Sequence, residues 1–146
     1  HLFASLAFID ATYGDFEVTS VSNGEIVTRN LEGNQVENAP RKINRFGATY
    51  NLGKFSMTWQ LSDVGEAFSD ASNTVEPNAA TVGLIPAYQV QDLSASWNVW
   101  KQHSIKAGVN NLTDERYFTR RAGGYPGPGI MPADGRTFYL TLGLKF

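Results

Sequence analysis

The stretch "FSMTWQLS", residues 55–62, alternates without a break: Phe55, Met57, Trp59 and Leu61 are apolar, and Ser56, Thr58, Gln60 and Ser62 are polar. Successive side chains on a strand point to opposite faces, so the pattern predicts a β-strand with one apolar and one polar side. The same period recurs along the chain. In residues 92–99, Leu93, Ala95, Trp97 and Val99 alternate with Asp92, Ser94, Ser96 and Asn98. In residues 105–110, Ile105, Ala107 and Val109 alternate with Lys106, Gly108 and Asn110. In residues 137–146, Phe138, Leu140, Leu142, Leu144 and Phe146 alternate with Thr137, Tyr139, Thr141, Gly143 and Lys145. Residues 46–52 set Phe46, Ala48, Tyr50 and Leu52 against Gly47, Thr49 and Asn51. Residues 2–13 are apolar at both parities for several positions, so their faces stay open. About six strands result, and no helix-period segment competes with them.

The connections between these runs differ sharply in length. Short turns fall at residues 51–54 and 101–103; long connections fall at residues 14–40, 67–86 and 113–136. In an up-and-down meander this order puts every long connection at one end and every short turn at the other. Compact soluble domains rarely carry three structureless connections of about twenty residues or more. Outer-membrane barrels combine short periplasmic turns with long extracellular loops. The expected fold is therefore all-β: an antiparallel up-and-down meander of about six strands, part of a large transmembrane β-barrel. Within residues 14–40, Asn23-Gly24 and Glu32-Gly33-Asn34 are turn signals around a β-like Ile26-Val27-Thr28, which points to an extra hairpin extending outward. Residues 67–86 read as a polar surface loop carrying Asp70, Asn73, Glu76, Pro77 and Asn78.

Composition narrows the function. The 146 residues suit one domain, and 12 Lys and Arg against 14 Asp and Glu leave a net charge of −2, without the basic excess of a nucleic-acid binder. There is no Cys, and His occurs only at positions 1 and 103. No apolar run approaches the ~18 residues of a membrane helix, a test to which alternating barrel strands are blind. The chain opens on His1-Leu2-Phe3, with no initiator Met or signal peptide before the first alternating run, and is expected to be a piece of something longer.

Alternation alone does not say which face is wet. The polar parity is mostly Ser, Thr, Asn, Gln and Gly, with Asp92, Lys106 and Lys145 as its charges. Small neutral groups suit a crowded, hydrated barrel lumen. Tyr50, Phe55, Trp97, Trp100 and Phe146 fall near the short-turn end, and Tyr88 and Phe138 near the long-loop end, as two interfacial girdles would require. Sheet propensity alone also enriches aromatics. The last strand ends on Phe146, which resembles the signal that the outer-membrane assembly machinery reads; the alternative is a plain terminal strand. The other function class left open is a small soluble all-β ligand-binding barrel with the apolar face inside.

With these residues in hand, the chain resembles the C-terminal end of a TonB-dependent outer-membrane receptor. The resemblance rests on "AGVNNLTDERYFTRRAGGYPGPGIMPADGRTFYLTLGLKF" (residues 107–146), "IPAYQVQDLSASWNV" (residues 85–99) and "ENAPRKINRFGATYNLGKF" (residues 37–55). The Asn-Asn-Leu-x-Asp run at 110–114 followed by Tyr117, and the ending Gly-Arg-Thr-Phe-Tyr-Leu at 135–140, are its most specific parts. Thr113 departs from the hydrophobic residue usual there. The resemblance implies a barrel of about twenty-two strands plugged by an N-terminal domain. Residues 1–146 would supply its C-terminal portion, without the plug. It further implies a bacterial outer-membrane location and uptake of a ferric chelate, siderophore or citrate-like, energised through TonB. The implied partners are that chelate, outer-membrane lipid and lipopolysaccharide, the plug domain and TonB, and the barrel-assembly machinery at the C-terminal strand; no nucleic acid and no cofactor are implied.

Between the last two strands lies an unusual stretch. Residues 116–136 hold four Arg, five Gly and three Pro. Guanidinium forks suit carboxylates in bidentate geometry, so Arg116, Arg120 and Arg121 are candidate contacts for an anionic iron chelate, with ring stacking from Tyr117, Phe118 or Tyr125. The competing reading is internal pairing with Asp114, Glu115 and Asp134, or contact with lipopolysaccharide phosphates. Adjacent strand residues face opposite ways, so only one of Arg120 and Arg121 can face a lumen. No catalytic constellation is expected. His103 sits in a short turn, the shared face of Asp92, Ser94 and Ser96 is explained by lumen polarity, and Gly123, Gly127 and Gly129 precede no helix.

Overall fold

The structure, a computed structural model, describes every residue except 78, 79, 101, 102, 126, 145 and 146, and leaves the Trp100 side chain undescribed. The expectations for Asn78, Lys101, Gln102, Pro126, Lys145, the terminal Phe146 and the Trp100 ring therefore lie outside the described residues.

Along the chain come β1 (Leu2–Phe8), β2 (Glu17–Ser22), β3 (Glu25–Asn30), β4 (Lys42–Leu52), β5 (Phe55–Val64) and β6 (Ala67–Phe68). Then follow β7 (Leu84–Ile85), β8 (Tyr88–Trp100), β9 (His103–Asn110), β10 (Phe118–Ala122), β11 (Gly129–Pro132) and β12 (Thr137–Gly143). Six of them form one antiparallel sheet in the order β1-β4-β5-β8-β9-β12, an open meander as the alternation predicts. Of the four interior strands, β4, β5 and β8 have 11, 10 and 13 residues and β9 has 8. About nine to eleven suffice for a tilted strand to cross a bilayer. Gly53 and Lys54 alone join β4 to β5, and Gly53 has φ 56°, a left-handed conformation that glycine adopts without a Cβ penalty.

Register fixes the faces. Thr49, Thr58, Ser94, Gly108 and Tyr139 lie on one cross-sheet row, and Gly47, Gln60 and Asp92 on the next. Ala48, Trp59, Leu93, Val109 and Phe138 form a row of the opposite parity. Pairing to β4 also assigns the first run: Leu2, Ala4, Leu6 and Phe8 share the apolar face, and Phe3, Ser5 and Ala7 the polar one. Two bare patches of the polar face are covered by rings from the next strand. Phe3 lies over Gly47 and Tyr139 over Gly108, where a Cβ would stand 2.5 Å from Tyr139 Cζ.

Much of the apolar face is exposed. Leu2 is 87% exposed and Phe138 75%, and Leu6, Tyr50, Leu52, Trp97, Leu140 and Leu142 are exposed as well. Among the described residues the only buried apolar side chains are Leu31, Ala67 and Ile85, and all three belong to the loop end. A small soluble barrel with its apolar face inside is thus not this fold: the sheet is open and its apolar side chains point away from any core. Contiguous apolar surface on this scale marks a face meant for another apolar phase or partner.

The long connections are not structureless. Each carries a two-stranded hairpin: β2–β3, β6–β7 and β10–β11. β2–β3 is the hairpin expected from Asn23-Gly24, which turns with φ 52° and 84°. Both values are positive, as the twist-matched hairpin turn requires.

Candidate functional site

At the loop end the sheet changes character. On the apolar parity, Lys42, Asn44, Asp63 and Gln89 succeed the apolar band. Asp63 gathers them: Lys42 Nζ lies 2.8 Å from Oδ2, Asn44 Nδ2 donates to Oδ2 at 3.2 Å, and Gln89 Nε2 donates to Oδ1 at 3.2 Å. Just below, Trp59 Nε1 donates to Gln91 Oε1 at 3.1 Å. Tyr88 is not on this side, although it was expected in the outer girdle. Its register partner is Val64, which pairs with Ile43, on the parity of Asp92 and Ser94. There it stacks on Tyr117 with centroids 4.3 Å apart and planes 24° from parallel.

The Asn-Asn-Leu-x-Asp run proves to be the clasp that closes the top of β9. Asn111 is 3% exposed and has φ 53°. Asn tolerates that conformation better than most residues. Its backbone N–H donates to Asp92 Oδ1 at 2.9 Å. Its side-chain amide donates to the carbonyls of Glu115 at 2.9 Å and Asp134 at 3.2 Å, while its Oδ1 accepts the Glu115 N–H at 2.8 Å. One side chain thereby holds both ends of the loop between β9 and β12. Asp114 completes the clasp by accepting the Arg136 N–H at 2.9 Å. That bond foremost, and the Arg116 and Arg136 charges with it, holds the Asp114 carboxyl below the usual carboxylate range.

Each residue expected to contact an anion can now be located. Arg116 is 81% exposed and pairs with Asp114 at 3.1 Å, the internal pairing that was its competing reading. Arg120 and Arg121 both lie in β10, which bulges at Thr119. Arg121 donates from Nη1 to the Ala80 carbonyl at 3.2 Å and from Nη2 to the Leu84 carbonyl at 3.1 Å, and its guanidinium lies 5.1 Å from the Phe118 ring centroid. Its buried Nε has no partner among the described residues. Arg120 is exposed and Tyr125 is fully so. The four are therefore not one cluster: two are engaged with protein groups, and two point to solvent.

Arg45 was missed. The alternating run begins at Phe46, but β4 starts at Lys42, and the extra loop-end residues place Arg45 in a polar-face row with Ser5, Ser62 and Val90. It borders a hollow of about 240 Å³ together with Ile43, Val64, Ile85, Tyr88 and Thr119. Extending the Gly47, Thr49, Asn51 parity by one step would have found it. On the far side of the tyrosine stack, Tyr117 borders a second hollow of about 450 Å³ with Asp92 and Asp134. Burial first, then these two carboxylates, raises the Tyr117 phenol above its ordinary value, so it stays protonated.

An open antiparallel meander with one bare apolar face, one polar face and its long loops gathered at one end is a wall segment of a large β-barrel. Residues 2–112 match the family described as TonB dependent receptor-like, beta-barrel, and the chain belongs to that family. It is 29% identical over 140 residues to the probable TonB-dependent siderophore receptor PiuA of Acinetobacter baumannii, covering 92% of this chain and 18% of that protein. The chain thus spans less than a fifth of the relative's length. The crystal structure of the siderophore receptor PiuA from Acinetobacter baumannii superposes with a TM-score of 0.78 at 24% identity, over 97% of this chain and 19% of that one. The unliganded ferric citrate transporter FecA gives 0.70 at 23% identity, over 79% of this chain and 19% of that one. At these identities the two superpositions speak for the fold.

Proposed function

We propose that residues 1–146 form the C-terminal wall of a bacterial outer-membrane receptor that takes up a ferric chelate, with energy delivered through TonB and the pore closed by a plug domain. The observation that carries this reading is the division of the sheet. Its apolar face lies bare against what is then lipid, and its polar face lines what is then a hydrated lumen. The knitted loops stand at the end where a chelate would arrive. The Asp63 cluster suits the height at which strands leave the hydrocarbon, with Trp59 beneath it as an interfacial ring. The names of the relatives, a siderophore receptor and a ferric citrate transporter, support a ferric chelate as cargo. Family membership favours a receptor over an enzyme. Lipid and lipopolysaccharide around the apolar band, and the barrel-assembly machinery at the last strand, complete the proposed partners.

In the loops, Arg116, Arg120, Arg121 and Tyr125 remain the proposed contacts for an anionic chelate. Of these, Arg120 and Tyr125 are open to a ligand, whereas Arg116 and Arg121 would first have to leave protein partners. The test is radioiron uptake by cells lacking the intact receptor gene, with and without TonB. Loss of uptake that the gene restores only when TonB is present is the expected result. Uptake of every ferric chelate unchanged by the deletion would overturn the reading. In the same cells, unchanged affinity after Arg116→Ala, Arg120→Ala and Arg121→Ala alike would remove the loop arginines from the site.

A further inference from the structure

We propose that Arg116 and Arg136, with the groove below them on the apolar face of the sheet, form a docking site for a phosphorylated, acylated glycolipid of the outer leaflet. The inference rests on the receptor reading above and gives one lipid of the apolar band a place and a headgroup chemistry. Arg136 immediately precedes Thr137, which is on the polar side, so alternation sets it on the side of Phe138 and Leu140. Arg116 is tied to the same spot: its Nη2 donates to Asp114 Oδ2 at 3.1 Å, and Asp114 Oδ1 accepts the Arg136 N–H at 2.9 Å. Neither arginine borders the polar-face hollow beside Tyr117, although Asp134, Gly135 and Thr137 do. Both arginines are exposed. Among the described residues, Arg116 commits one guanidinium nitrogen to Asp114, and Arg136 commits one to the Leu112 carbonyl at 3.4 Å. A guanidinium carries five N–H donors, so most of each fork is unspent. Two cations thus act on the one Asp114 carboxylate, and Glu115 beside it makes no ion pair with either among the described residues. The spare donors suit an anion with several acceptor oxygens, as a phosphate has.

The second observation lies directly below. Ala95 and Ala107 are cross-strand partners on the apolar face, with the pair Leu93 and Val109 on their loop side and the pair Trp97 and Ile105 on the other. Two short side chains among longer neighbours leave a groove of about 300 Å³, walled by Met57, Leu93, Val109 and Phe138. Leu140, the β12 partner of Ala107, lies four residues from Arg136, about 13 Å at the rise of a strand. A lipid whose phosphate rests on the guanidiniums therefore lays an acyl chain past Phe138 into the groove. Cations above an apolar hollow, on the face turned from the lumen, match an amphiphile with its headgroup towards the loops. A free anion would gain nothing from the groove, and an uncharged apolar surface would gain nothing from the arginines. The long loops of such barrels stand on the extracellular side. The lipid is thus that of the outer leaflet, lipopolysaccharide, held by its phosphorylated lipid A. As a chelate contact Arg116 would have to leave Asp114; as a lipid contact it keeps that partner.

The experiment uses the intact receptor that carries this segment, purified in detergent and stripped of lipid. Three probes are titrated: bisphosphorylated lipid A, the same lipid with its phosphates removed, and phosphatidylglycerol. Heat-modifiable gel mobility confirms that each barrel is folded. Expected are lipid A binding by the parent, a loss of about tenfold in Arg116→Ala and in Arg136→Ala, and a loss of roughly a hundredfold in the double variant, as for one and then two charge-assisted hydrogen bonds. Arg136→Lys, which keeps the charge without the fork, recovers part of the loss. Ala107→Phe fills the groove, leaves both arginines and costs about tenfold, the worth of about two buried methylenes. The dephosphorylated lipid binds parent and double variant alike. Lipid A binding that is equal in the parent and the double variant would overturn the site and leave the receptor reading standing. Binding unchanged in Ala107→Phe would remove the groove from it. Phosphatidylglycerol held as tightly as lipid A would overturn the glycolipid assignment. An intact receptor that stays in solution without detergent would overturn the receptor reading and the site with it.

Discussion

Asn111 and Arg116 lie five positions apart in one motif and do opposite amounts for the fold. Asn111 is buried, sits at positive φ and makes three side-chain hydrogen bonds to backbone groups. Replacing it with Ala strands buried donors and acceptors and puts a less tolerant residue in a left-handed conformation. At about 1 kcal/mol per bond and about 1 kcal/mol for the backbone, Asn111→Ala is expected to cost roughly 4 kcal/mol. Arg116→Ala removes an exposed pair and is expected to cost less than about 1 kcal/mol. Chemical unfolding of the intact receptor in detergent, followed by Trp fluorescence, measures both. Equal midpoints for the two variants would refute the clasp. The motif is readable in sequence as Asn-Asn-Leu-x-Asp, but its job is not. The two carbonyls bound by the Asn111 amide belong to Glu115 and Asp134, and no local rule joins residue 111 to residue 134.

Among elements, the β2–β3 hairpin stands apart. Among the described strands, β2 and β3 contact only each other, and Phe16 and Leu31 tie its base through the Leu31 N–H to Phe16 carbonyl bond at 2.8 Å. Thr19 and Thr28 face each other with Oγ1 atoms 3.1 Å apart. A two-stranded ribbon without a third layer is marginal in water. It therefore leans on its turn, where Gly24 has φ 84°. Gly24→Val is expected to raise amide exchange across residues 17–30 by roughly tenfold, from about 1–2 kcal/mol of turn strain, and to leave β4 and β5 unchanged. Hydrogen exchange with mass-spectrometric readout of the intact receptor checks this. Faster exchange in β4 would mean that the hairpin braces the sheet. Local chemistry decides this element, since turn, flanking strands and register are all set within fourteen residues. For that reason Asn23-Gly24 announced it. β6–β7 and β10–β11 carried no Asn-Gly pair, and the two hairpins touch each other through β7 and β10.

At the scale of the whole molecule, the loops form one layer. Asn73 links the first long loop to the second: its Oδ1 accepts the Gln35 N–H and its Nδ2 donates to the Gln35 carbonyl, both at 2.7 Å. Arg121 links the second to the third through the Ala80 and Leu84 carbonyls. Arg121→Ala is expected to loosen residues 80–84 by about 2 kcal/mol, the scale of a charge-assisted hydrogen bond, and to open that segment to limited proteolysis. Arg121→Lys, with no planar fork, would restore only part of the protection. Cleavage no faster in Arg121→Ala than in the parent would show that the layer does not depend on this residue.

Legible in the sequence were the sheet strands from Phe46 onward with their apolar and polar parities, the end at which the long connections gather, and the outward hairpin, but not the faces of β1 or the β6–β7 and β10–β11 hairpins. The legible features follow from backbone geometry with a period of two and from turn chemistry, both of which act over a few residues. Tertiary structure alone decided the register that put Tyr88 on the polar face, stacked it on Tyr117 and set Arg45 beside it. It also decided which arginines were spent on protein groups. Those outcomes depend on pairs 29 to 43 positions apart in the chain (Tyr88 with Tyr117, Arg45 with Tyr88). Only cross-strand hydrogen bonding, one residue of slip at a time, selects among such pairings.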